Sequence, residues 1–276
     1  MSGFASSRKP GFWSRWSLLL LCAGVFAGCA NSPGAGQGNA QLDDLVTESD
    51  ESNDRKRARI RVELAMGYLE QGKTNIALDE VKLALAADPT FADAYSLRGL
   101  IYMRLNELPL AQESFMKALA VRPRDPNILH NLGWLKCQQA RYPEAMADFS
   151  LALANPSYGE RAKTFMAQGL CQIRAGQRRE AEQSLLKAYE YDAANPVTGY
   201  NLANLLFQNA DFARAQFYIR RLNNSEWANA ESLWLGIKVE NKMSDRVALM
   251  QLATQLEKRF PQSKEASAYR RGACDE

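Results

Sequence analysis

Apolar residues along this chain recur at the three- and four-residue spacing of amphipathic helices, and the helical patterns come in pairs. In MGYLEQGKTNIALDEVKLALAADP, RGLIYMRLNELPLAQESFMKALAVRP, LGWLKCQQARYPEAMADFSLALANP and QGLCQIRAGQRREAEQSLLKAYEYD, one such pattern gives way after a short break to a second. Three of these segments close on Pro89, Pro123 or Pro156, which cannot continue a helix. The pairs repeat at one constant spacing, which separates Gly99 from Gly133, Ala77 from Ala111 and Ala145, and Ala84 from Ala118 and Ala152. Two weaker units follow, one with Ala203 and Ala215 at the small positions, the other with Gly236 and Ala248. The pattern predicts six helix–turn–helix units over about 58–91, 92–125, 126–161, 162–195, 196–227 and 228–261, and a tail over 262–276 that adds one polar capping helix. A two-residue insertion around Asn155–Gly159 separates the third unit from the fourth.

The period and the residue types resemble the tetratricopeptide repeat. Gly99, Gly133 and Gly169, with Ala111, Ala145 and Ala181, allow close helix approach, while Tyr95, Tyr102, Phe115, Leu129, Leu132, Phe149, Phe165 and Leu185 fill the spaces between. No hairpin buries its apolar face alone, so the stack is the folding unit. The resemblance implies an all-α, right-handed superhelical solenoid whose first helices line a concave surface. The repeat register then places Val62, Met66, Leu69, Leu100, Met103 and Trp134 in a partner-binding groove, continued by His130, Met166, Leu170, Ile173, Tyr200, Asn204 and Phe207. Many grooves of this kind clamp a peptide carboxylate with Lys and Asn. Here Val62 and Met66 stand at such places, so an apolar or amphipathic segment is the expected ligand.

The N-terminal segment 1–28 reads as an address. Arg8, Lys9 and Arg15 precede an apolar run from Trp16 to Phe26, too short for a permanent membrane span and laid out as a secretory signal peptide. The run ends in Phe26-Ala27-Gly28-Cys29, which resembles a bacterial lipobox and implies a multiply acylated Cys29. Ala30 in place of Asp favours the outer membrane, on the same resemblance. Residues 29–57 read as a flexible, acidic tether.

Charge and chemistry narrow the function classes. The net charge of +3 comes from the leader; without its three basic residues the chain holds 31 basic and 31 acidic side chains, so nucleic acid is not an expected partner. The chain has one histidine, His130, which reads as a surface or packing residue. No nucleophile, phosphate-loop or zinc-protease motif is present, and the five cysteines lack zinc-ligand spacing. The expectation is a binding protein, not an enzyme, with no metal, no small-molecule substrate and no cofactor beyond the lipid on Cys29.

Taken together, the lipobox, the six units and the stretches NLGWLKCQQARYPEA, GLCQIRAGQRREAE and SLWLGIKVENKMSDRVALMQLATQLEKRFPQS resemble the PilF/PilW family of type IV pilus biogenesis lipoproteins, also called pilotins. That resemblance implies an outer-membrane lipoprotein facing the periplasm, which binds the secretin subunit PilQ and promotes its localisation and multimerisation. The alternative is a periplasmic adaptor lipoprotein serving outer-membrane protein assembly or cell-wall enzymes. Cys137 and Cys171 stand one repeat spacing apart on successive first helices, at near-equivalent places. In an oxidising periplasm they are expected to form a disulfide in preference to two packed thiols, with Cys274 left over.

Overall fold

The computed structural model describes residues 50–273, so the signal peptide, Cys29, nearly all of the tether and Cys274 lie outside the described residues. Among the described residues there are thirteen helices and no strand. They run α1 (Asn53–Glu70), α2 (Thr74–Ala87), α3 (Ala92–Arg104), α4 (Leu108–Val121), α5 (Pro126–Gln138), α6 (Tyr142–Leu153), α7 (Arg161–Arg174), α8 (Arg178–Tyr191), α9 (Pro196–Gln208), α10 (Phe212–Asn223), α11 (Ala230–Lys242), α12 (Arg246–Arg259) and α13 (Lys264–Arg270). Six hairpins result. Within each, the two helices pack on one another, and the second helix packs on the first helix of the next. The first helix α1 begins at Asn53, inside the stretch expected to be tether, because Ser52 accepts a hydrogen bond from the Arg55 N–H and caps the helix there.

Local chemistry starts and stops the helices. Asp125 and Asn195 cap α5 and α9 through their side-chain oxygens, each followed by a proline whose missing N–H costs nothing at the first helical position. At the end of every first helix the backbone closes a 6→1 hydrogen bond: Lys73 to Tyr68, Glu107 to Tyr102, Arg141 to Lys136, Gln177 to Gln172, Asp211 to Leu206 and Asp245 to Glu240. That closure requires a left-handed residue. Gly72 and Gly176 fill the position in the first and fourth hairpins, while Asn106, Ala140, Ala210 and Ser244 hold positive φ in the others.

One small–large pair at the centre of each hairpin sets the packing. A Cβ added to Gly99 would lie 2.5 Å from the Phe115 ring, one on Gly133 2.9 Å from Phe149, and one on Gly169 2.7 Å from Leu185. The glycines therefore admit a large side chain from the second helix of their own hairpin. In the fifth hairpin the pair is Ala203 with Ile219, both fully buried. In the sixth it is inverted: Ile237 stands at the glycine position and Ala253 opposite, in one core cluster. The assignment of Gly236 and Ala248 to the small positions is thereby corrected. Gly236 instead makes room for Asn223 of the preceding hairpin, whose Nδ2 donates to the Ser232 carbonyl at 3.0 Å.

The tail forms α13, in line with the capping helix expected there. It starts one repeat spacing after α11 and buries Ala266 at the place where α11 buries Ser232. It is the first two turns of a seventh first helix.

Candidate partner-binding surface

The first helices bring one side chain per hairpin onto a common face. Met66, Leu100, Trp134, Leu170, Asn204 and Lys238 occupy the same repeat position, and none of them is buried. The row is apolar through the fourth hairpin and polar in the last two. Met66 is 47% exposed. Leu100 and Met103 are half-buried against the second-hairpin core, and Leu69 against the first. Trp134 is half-buried beside the third-hairpin core, with the Arg174 guanidinium 4.9 Å from its ring centre.

Val62 departs from the expectation. Only 7% of it is exposed, and it belongs to the core cluster with Ala58, Ala65, Val81 and Leu97. It sits one turn from Met66 on α1, but the stack turns it towards α2 and α3, so it cannot reach a partner. The continuation of the row is mixed. Met166, Leu170, Ile173, Tyr200, Asn204 and Phe207 are half-buried. Tyr200 and Asn204, with Trp234, Lys238 and Glu265, border a polar recess of about 410 Å³.

His130 is a packing residue. It is 6% exposed, and its Nδ1 lies 2.9 Å from the Thr164 hydroxyl, which also contacts the Tyr158 hydroxyl at 2.8 Å. Burial, helped by the Lys163 ammonium, pushes its pKa down to about 4, so the ring is neutral above that pH. Tyr158 comes from the long link between the third and fourth hairpins, and this network ties that link to α5 and α7.

Cys137 and Cys171 form a disulfide, with Cα atoms 5.8 Å apart. Both residues are buried, and the bond joins α5 to α7, the first helices of the third and fourth hairpins.

Several exposed apolar residues lie outside the predicted groove, and two of them stand one turn apart on α1. Ile60 and Leu64 on α1 are 51% and 46% exposed. At the position of Ile60, later hairpins bury Ala94, Ile128, Thr164, Thr198 and Ser232. Each is covered by the hairpin before it, and α1 has none before it among the described residues. The signal was in the sequence: an apolar residue, Ile60, at a position that later hairpins bury beneath a predecessor.

Residues 92–125, which form α3 and α4, match the tetratricopeptide repeat. The chain is 28% identical over 251 residues to the type IV pilus assembly protein PilF of Pseudomonas aeruginosa, covering 91% of this chain and 96% of that one. A solved structure of Pseudomonas aeruginosa PilF superposes with a TM-score of 0.71 at 27% identity, over 80% of this chain and all of that one. The structure of PilW, described as a widely conserved type IV pilus biogenesis factor, superposes with a TM-score of 0.70 at 29% identity, over 77% of this chain and 97% of that one.

Fold and comparisons together define an all-α tetratricopeptide-repeat solenoid. Within that class the chain is similar, along most of its length, to the pilus proteins PilF and PilW.

Proposed function

We propose that this chain is a pilotin: an outer-membrane lipoprotein, acylated at Cys29, that binds the secretin subunit PilQ and promotes its outer-membrane localisation and multimerisation during type IV pilus biogenesis. The observation that carries this reading is the near end-to-end correspondence with a type IV pilus assembly protein, 91% of this chain against 96% of that one. A shared repeat alone would support only a shared fold. The reading divides the labour between anchor and repeats. The lipid on Cys29 supplies the membrane address. The apolar part of the first-helix row, from Met66 to Leu170, supplies the grip on the secretin. Met66 leads it, because it is exposed and flexible and its replacement does not open the core.

Deletion of the gene tests the reading. Heat-stable secretin multimers in the outer-membrane fraction should fall at least tenfold and twitching should stop, with both restored by the wild-type chain. Multimers of normal amount in the outer membrane of the deletion strain would overturn it.

A further inference from the structure

The link between the third and fourth hairpins runs over 154–160, longer than the four-residue links 88–91, 122–125 and 192–195. Where it lengthens the connection, the second helices α6 and α8 border a furrow of about 460 Å³ floored by α7. This furrow lies on second helices and is separate from the first-helix row.

Gln172 forms part of the floor. It is 7% exposed, yet its Oε1 accepts no hydrogen bond. In the third, fifth and sixth hairpins the same repeat position is paired or apolar. Lys136 pairs with Asp148 at 2.6 Å, Leu206 is apolar, and Glu240 accepts from Arg220 and Gln216, each at 2.7 Å. A buried acceptor without a donor is costly, so a stack that solves this position in other ways elsewhere leaves an open demand here.

The surroundings say what donor fits. Gln168 lies one turn before Gln172 on α7, and Gln183 faces them from α8. Side chains four apart on a helix are about 5–6 Å apart. Alternate residues of an extended strand are about 6.6 Å apart. Two amides one turn apart can therefore pair with every second peptide unit of a strand, each amide offering a donor and an acceptor. At one end, Leu153 and Phe165 offer an apolar socket beside Lys187, whose ammonium lies 5.4 Å from the Phe165 ring centre. At the other end stands Glu180. The disulfide pins the floor helix to α5, so the floor is fixed before any ligand arrives.

We propose that this furrow binds an extended peptide segment of a partner protein, the Gln172 amide turning out of its buried position so that Oε1 accepts one backbone N–H of the segment. An apolar side chain of the segment sits against Leu153 and Phe165, with an acidic residue beside Lys187 and a basic residue beside Glu180.

The test uses the full chain and a library of hexapeptides acetylated and amidated at their ends. The best binders should lose about three- to tenfold in affinity on Gln172→Leu, and a similar factor on Gln183→Ala, which changes an exposed position. N-methylation at a single backbone nitrogen of the peptide should remove the dependence on Gln172. Gln172→Leu should also melt at a higher temperature than the wild-type chain, because the unmet acceptor is gone. Failure to find any hexapeptide binder below about 1 mM would overturn the proposal. Binders that hold the Gln172→Leu and Gln183→Ala chains within twofold of wild type would overturn it as well.

Discussion

Replacing Cys137 and Cys171 together by alanine should lower the unfolding free energy by about 3–4 kcal/mol. The bond spans a sequence separation of 34, and in the chain-entropy model closing that loop is what removes freedom from the unfolded chain. Its position concentrates the effect. In a stack where each hairpin touches only its neighbours, stability is a sum of local and nearest-neighbour contributions. The loss should therefore appear at the joint of the third and fourth hairpins, as faster amide exchange in α5 to α8 and little change in α1 or α12. Urea titration of the oxidised chain and the double variant measures the total. Reductant should bring the wild-type midpoint down to that of the variant and leave the variant unmoved. Coincident curves for the oxidised wild type and the variant would refute a stabilising staple.

Gly99→Ile should cost about 2–4 kcal/mol, since the new side chain must displace a fully buried Phe115. Phe115→Ala alone should cost about 3–5 kcal/mol through the cavity it leaves. The double variant should lie within about 2 kcal/mol of the wild-type chain, a coupling of roughly 3 kcal/mol or more. The sixth hairpin supports this, because it already carries the inverted pair Ile237 and Ala253 in a closed core. Denaturant midpoints for the three variants close the cycle. Losses that simply add would mean that the pair does not share one space.

That pair also explains what was legible in the sequence. The constant spacing of the small residues located the hairpins, because glycine and alanine must recur where helices touch. It misled in the sixth unit, where Gly236 and Ala248 are small residues but the small–large pair is the inverted Ile237 and Ala253. The cysteine pair was legible for the same reason as the glycines, since near-equivalent positions on successive first helices lie side by side. Val62 was misplaced because a helical period assigns a face, not a depth. One turn separates it from Met66, and only the packing of α2 and α3 decides which of the two reaches solvent. Gln172 was invisible for a further reason. A glutamine on a helix usually finds water, and its isolation depends on three helices meeting above a lengthened link.

Direct binding to the secretin tests the central claim. With purified chain and purified secretin subunit, Met66→Glu should weaken association at least tenfold. Val247→Glu, at a 69% exposed site on α12, should leave it unchanged. Equal affinity for wild type and Met66→Glu would contradict a grip through the apolar first-helix row.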